Sequence, residues 1–159
     1  MNKNYFSENL KHFISSGLDR HDLAYVADIS FGSIKNYQSK LTQNPSIITI
    51  CKIAKSLDLS VEDLVNKDFI KEVKELDFEY MNKKEPIEPI SLNLSKNIDK
   101  FINANKYNIN KASRMLKINE TILRKIVIGE ANASLKVCLK ISECMKVTLD
   151  QLLFEEIEF

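Results

Sequence analysis

The sequence contains few of the residues that break helices or staple a chain covalently. It has no tryptophan, and only three each of glycine, proline and cysteine among 159 residues. Alternating β-rich runs bounded by turn residues are missing, so the pattern predicts an all-α protein. No apolar run approaches 18 residues and no charged-then-apolar leader opens the chain. We therefore expect no transmembrane helix, no secretory signal and a cytoplasmic location.

The chain also has no arrangement of residues typical of a catalytic or metal site. Cys51, Cys138 and Cys144 are odd in number and fall in helical, partly apolar stretches, which favours reduced thiols. Cys138 and Cys144 lie six residues apart, on different faces of a helix, which does not suit a metal. His12 and His21 have no nucleophile beside them. We expect no enzyme activity, no metal and no cofactor.

The net charge of the chain is close to zero, but its basic and acidic residues are unevenly distributed. The net charge of +1 predicts no strong non-specific binding to nucleic acid, although specific binding stays open. Residues 1–65 hold seven basic and seven acidic residues, whereas residues 96–125 hold eight basic and two acidic ones. This excess favours phosphate binding by the second stretch. The alternative is that its lysines only keep a helical surface solvated.

Residues 20–37 have the pattern of two short helices joined by a tight turn. Asp19 and Ser30 are placed to cap the two helix starts, because their side chains can accept hydrogen bonds from unpaired amides. Apolar residues then recur at helical spacing, at Leu23, Ala24, Val26, Ala27, Ile34 and Tyr37. The pattern predicts a helix-turn-helix, a motif whose second helix fits into the major groove of DNA.

Helical patterns on both sides extend this pair to a series of five. The series resembles the lambda-repressor-like (Cro/XRE) family of DNA-binding domains. The resemblance lies in Leu23-Ala24, Ile29-Ser30, Ile34 and the segment IAKSLDLSVEDLV at 53–65. It implies a five-helix, helix-turn-helix fold for residues 1–65.

The same pattern returns later in the chain. NLKHFISSGL at Asn9 aligns with NIDKFINANKY at Asn97, 88 residues further on. LSVEDLV at Leu59 meets VTLDQLL at Val147, in which Thr148 and Gln151 are predicted to form a capping box. We therefore predict a second, diverged copy over residues 91–159, which ends in an acidic tail. Residues 66–90 are predicted to form a connecting helix over 66–84, about 28 Å long, and then a linker with Pro86 and Pro89.

The resemblance implies which side chains would contact DNA. In the family, residues at the start of the recognition helix and one turn later reach base edges, and here these are Phe31, Gly32 and Asn36. Asn36 suits adenine, and Phe31 suits either a thymine methyl group or a buried contact. Gly32 has no side chain with which to read a base. The full predicted DNA-binding set is Arg20, Ser30, Phe31, Ser33, Lys35, Asn36, Ser39, Lys40, Asn119, Thr121, Arg124 and Lys125.

The second recognition helix carries an apolar set at positions that are polar in the first. Ile122, Val127 and Ile128 replace Ser33, Gln38 and Ser39. Exposed apolar patches commonly mark interfaces, so these three residues are predicted to form a protein contact. The alternative is a shifted packing that buries them inside the domain.

Two functions follow as hypotheses. The first is a bacterial or phage transcriptional regulator that binds double-stranded DNA. Its two copies act in cis on one duplex, across the roughly 34 Å between half-sites, or the second copy makes a homodimer, which we favour. The second is a protein-binding inhibitor or adaptor on the same scaffold, such as a phage anti-defence protein or an antitoxin.

Overall fold

The computed structural model describes residues 4–41, 44–72, 76, 78–130 and 132–159. All regular elements in these ranges are helical, which confirms the all-α prediction. The chain divides into two compact units, Met1–Ile90 and Ser91–Phe159. Within the described ranges, no helix combines the length and apolar character that crossing a membrane requires.

The described residues of the first unit form six α-helices and a short 3₁₀ helix. Side-chain caps begin four of them, since Asp19, Ser30, Ser46 and Ser60 each accept a hydrogen bond from a backbone amide of the first turn. The elements are α1 Phe6–Ser15, α2 Arg20–Val26, α3 Phe31–Gln38, α4 Ile47–Ser56, α5 Val61–Asn66, α6 Phe69–Glu72 and the 3₁₀ helix Glu79–Lys83.

The core of the first unit is formed by the apolar stripes of α1 to α5. Leu10, Leu23, Ile34, Ile53 and Leu64, one from each helix, are completely buried. The pattern at 20–37 therefore points inward as its spacing predicts, and it holds α2 and α3 against the other helices.

The predicted connecting helix over 66–84 is wrong. Lys67 and Asp68 interrupt it after α5, which ends at Asn66. Beyond them, only α6 and the 3₁₀ helix are helical among the described residues of this stretch. Phe69 and Phe78 both pack on Phe13, with ring centroids 5.0 Å and 5.9 Å from it. Nine residues of helix would separate them by about 13 Å, so this packing requires the chain to fold back. Helical spacing predicted that Val73 lies on the same side of the connecting helix as Phe69, but Val73 is outside the described residues.

In the second unit, the residues that the structure describes form five helices whose order and lengths follow α1 to α5. Asn108, Asn119 and Thr148 cap three of them, and Thr148 with Gln151 forms the predicted capping box. The helices are α7 Leu94–Ala104, α8 Ile109–Met115, α9 Glu120–Val127, α10 Leu135–Met145 and α11 Leu149–Phe154.

Each unit contains the same buried asparagine clamp. The Asn9 side chain is fully buried, and its Nδ2 donates to the carbonyls of Leu64 and Lys67 at 2.9 and 2.8 Å. The Asn97 Nδ2 donates to Leu152 and Glu155 at 2.9 and 2.8 Å. Each acceptor of the second set follows its counterpart by 88 residues, so the sequence repeat is also a repeat of hydrogen bonds.

The acidic tail is fixed to the second unit. The Ile157 amide donates to Asn97 Oδ1 at 3.0 Å, and the Phe159 ring lies 5.4 Å from that of Phe101. Lys100 forms ion pairs with Glu156 and Glu158 at 3.5 and 2.6 Å. The tail thus occupies the place that Phe69 takes in the first unit, where the Phe69 amide donates to Asn9.

Candidate nucleic-acid interface

The turn between α2 and α3 is fixed by local hydrogen bonds. Asp28 adopts a left-handed conformation with φ of 49°, and the Ile29 amide then donates to the carbonyl of Ala24 at 3.0 Å. Ser30 Oγ accepts from the Ser33 amide at 3.1 Å, which begins α3. These bonds orient α3 across α2 without help from a longer loop.

One side of α3 is anchored in the core and the other faces solvent. Ile34 is fully buried, and the Tyr37 ring packs edge-on against Phe6 with centroids 5.7 Å apart. Lys35, Asn36 and Ser39 are exposed on the opposite side, and we call these three residues the reading face. Among the described residues, the side chains of Lys35 and Asn36 have no hydrogen-bonding or ionic partner.

Other residues predicted to contact DNA already have partners within the protein. Lys40 Nζ donates to Glu8 Oε1 at 2.8 Å, and the hydroxyls of Ser30 and Ser33 are 2.8 Å apart. Ser39 Oγ donates to the carbonyl of Asn36 at 3.2 Å. These groups could reach a phosphate only by sharing or exchanging such bonds. In the first unit, the side chains that can contact DNA without breaking a bond are therefore Lys35 and Asn36.

Two contacts that support the reading face were not predicted. Arg20 Nε donates to Gln38 Oε1 at 2.9 Å, which joins the start of α2 to the end of α3. The half-buried Phe31 ring stacks on His21 with centroids 4.2 Å apart and an interplanar angle of 7°. Phe31 is therefore held at the surface by His21, so it is neither a core residue nor an unsupported exposed ring.

Gly32 lies on α3 beside the reading face, and the fold does not require a glycine there. Its φ is not positive, and a Cβ at this position would meet only Ser30 Oγ at 3.9 Å, an ordinary contact. Glycine within a helix costs about 0.5–1 kcal/mol relative to alanine. Its exposed backbone allows another molecule to approach α3 closely.

The corresponding surface of α9 differs from that of α3 in its charges and in which side chains are available for an external contact. Thr121 and Lys125 are exposed, and Asn119 Oδ1 accepts from the amides of Thr121 and Ile122 at 2.8 and 3.3 Å. Arg124 is bound to Glu120 through Nη2 at 2.6 Å and Nε at 3.1 Å. Arg124 therefore neutralises Glu120 and is not directly available to a phosphate.

The Glu120–Arg124 pair leads to a prediction about pH. Arg124 lowers the pKa of Glu120 below the usual 4.5, and Asn110, which donates at 3.0 Å, lowers it further. A carboxylate with a lowered pKa stabilises the fold above its unfolded pKa, and this contribution disappears as the pH falls through the folded pKa. In an Arg124→Met variant, we expect the Glu120 pKa to rise toward 4.5 in a carboxyl NMR titration. An unchanged value would contradict the pairing.

The three apolar residues of the second copy do not form one continuous surface. Ile122 and Ile128 are 41% and 63% exposed, whereas Val127 is half-buried and its carbonyl accepts from Ser95 Oγ at 2.6 Å. Six residues of helix place Ile122 and Ile128 about 120° apart around the axis. Only two of the three predicted interface residues are exposed, and they point in different directions.

The part of the chain that the structure describes offers no candidate metal site beside this surface. No group of three or more His, Cys, Asp and Glu side chains is arranged to hold a metal ion within those ranges. Cys51 and Cys138 are buried, and Cys144 is partly buried. Comparisons with known proteins add no family, since no protein-family model, curated protein or solved structure matches this chain.

Proposed function

We propose that the chain is a sequence-specific regulator of transcription, bacterial or phage, which binds double-stranded DNA. In this proposal each unit is a lambda-repressor-like helix-turn-helix domain, and the first unit reads the bases. The observation that carries the proposal is the reading face. It presents an amide and an ammonium group that have no partner among the residues described, on a helix whose opposite side is anchored in the core.

The chemistry of this face matches the edges of DNA. The Asn36 amide can donate to and accept from an adenine at the same time, which distinguishes adenine from other bases. Lys35 is adjacent and suits a phosphate, where it adds affinity without sequence preference. An α-helix with its side chains is about 10–12 Å across, which a major groove roughly 12 Å wide admits. Gly32 allows the helix to approach the groove without a side-chain clash.

The second unit would act in one of two ways. Basic residues on α8 and α9 favour phosphate contacts in cis, while Ile122 and Ile128 favour a homodimer that presents two first units to a palindrome. A connecting helix of about 28 Å would be comparable with the roughly 34 Å between half-sites, which favoured cis binding. This support is lost, because the stretch over 66–84 is not one helix. The dimer thus stays the favoured arrangement, with a smaller apolar contact than the sequence suggests.

An Ile128→Asp variant tests the dimer. If Ile128 lies in the interface, a buried carboxylate would break it, and we expect the sedimentation coefficient to fall to that of the monomer. Ile70→Asp is the matched control, because Ile70 is 52% exposed and belongs to α6, which is not a recognition helix. Unchanged sedimentation of Ile128→Asp would remove this residue from any interface.

Selection of genomic DNA fragments on the purified full chain at physiological salt tests the proposed function. We expect one sequence to be enriched, and its affinity should fall linearly with salt concentration on logarithmic axes. The spacing of half-sites would then separate the cis from the dimeric arrangement. No enrichment by the folded protein would contradict the proposal.

A second candidate is a protein-binding inhibitor or adaptor on the same scaffold. The exposed Ile122 and Ile128 favour it, together with the near-neutral net charge. An apolar protein contact depends weakly on salt, whereas phosphate contacts depend on it steeply. The salt dependence of binding therefore separates the two functions.

A further inference from the structure

In the first unit, a segment of the chain covers the side formed by the ends of α2 and α4. The Ile87 amide donates to the carbonyl of Val26, the last residue of α2, at 2.9 Å. Lys84 Nζ donates to the Ser56 carbonyl at 3.1 Å and binds Asp58 at 2.8 Å. The 3₁₀ helix ends at Lys83, and residues 84–87 continue from it as an extended strap on this side. The strap is held by one backbone hydrogen bond, one bond from the Lys84 side chain to a carbonyl, and one ion pair.

The equivalent side of the second unit is uncovered in the part of the chain that the structure describes. Met115 ends α8 as Val26 ends α2, yet Met115 is 49% exposed whereas Val26 is fully buried. Ser56 is fully buried, and its counterpart Cys144 is only partly so. The second unit therefore has the surface on which a strap lies, but no strap.

The charges around this surface are reversed between the units. Asp22, Asp28 and Asp58 of the first unit correspond to Lys111, Lys117 and Lys146 of the second. The correspondence is structural as well, since Asp28 and Lys117 have φ of 49° and 55°, and Asp58 and Lys146 have φ of 53° and 58°. We call Met115 with Lys111, Lys117 and Lys146 the open face. All four are exposed, and among the described residues none of the three lysines forms an ion pair.

We propose that the open face binds an extended acidic peptide from a partner protein. An apolar residue of the peptide would cover Met115. A carboxylate of the peptide would bind Lys146, as Lys84 binds Asp58 in the first unit. Charge complementarity selects this occupant, because the chain's own strap would place Lys84 against Lys146. The exposed apolar side chain of Met115 favours a peptide over a phosphate backbone, which has no apolar group to cover it.

A charge exchange between peptide and protein tests the proposal on the full chain. The probes are two fluorescent peptides of residues 79–90, one with the native sequence and one with Lys84→Glu. The first should bind wild-type protein about fivefold more weakly than the second, and the order should reverse on a Lys146→Asp variant. Asp fits this left-handed position, since Asp58 occupies its counterpart with φ of 53°.

Four further measurements complete the test. A scrambled Lys84→Glu peptide should bind more weakly, and Met115→Asp should weaken the specific peptide about tenfold or more. Equal binding of the scrambled peptide, or no reversal with Lys146→Asp, would overturn the proposal. Displacement of the peptide by duplex DNA would assign the face to phosphate instead. Self-association that Met115→Asp abolishes would assign it to a second copy. None of these outcomes depends on the DNA selection above.

Discussion

An Asn36→Ala variant is expected to bind the selected DNA site about 5- to 150-fold more weakly than wild type, equivalent to roughly 1–3 kcal/mol. The amide is exposed and without a partner among the described residues, so its removal should leave the fold intact. The loss should be confined to sites with adenine at one position, and substitution of that base pair should remove the difference between variant and wild type. Fluorescence anisotropy with single-base variants of the site measures both effects.

Two further variants identify the source of any loss. Lys35→Ala should weaken binding to all sequences alike and reduce the slope of affinity against salt by about 1. Lys125→Ala changes the residue that corresponds to Asn36 in the second unit. If the first unit reads the bases, Lys125→Ala should leave the preferred sequence unchanged. A shifted base preference in Lys125→Ala, with none in Asn36→Ala, would assign base recognition to α9.

An Asn9→Ala variant is expected to destabilise the first unit by about 2–5 kcal/mol. The change removes the partner of three backbone groups in a buried or partly buried setting. These groups are the carbonyls of Leu64 and Lys67 and the amide of Phe69. Amides of α1 and α5 should lose protection from hydrogen exchange, while those of α7 and α11 keep it. Asn97→Ala should produce the opposite distribution.

The matched control for both clamps is Asn103→Ala on α7. Asn103 is exposed, and its side chain donates only to Asp99 at 3.1 Å. Its replacement should change the free energy of unfolding by about 0.5 kcal/mol or less. Stability of Asn9→Ala within the range of this control would contradict the role of the clamp.

Local signals in the sequence predicted the helices around the candidate site. Ser30 and Thr148 cap helices as their positions suggest, and Ile34 is buried as its spacing requires. These features depend on residues three or four positions apart, which a single sequence displays directly. The partition of α3 into a buried and an exposed side follows from the same spacing.

Contacts between distant residues explain what the sequence pattern did not predict. The stretch after α5 has apolar residues at helical spacing, but Phe69 and Phe78 fold back onto Phe13 and no single helix forms. The partners of Arg20 and Lys40 lie 18 and 32 residues away, so no local rule connects them. The Glu120–Arg124 pair, in contrast, has the i,i+4 spacing that favours ion pairs on a helix.

In the proposed complex, the reading face of α3 contacts the bases. This contact is tested most directly by NMR titration of the labelled full chain with the selected duplex. We expect the largest shift changes at Lys35, Asn36 and Ser39, and contacts from the Asn36 side-chain amide to one adenine. Shift changes confined to the open face around Met115, with the signals of α3 unmoved, would contradict the proposed contact.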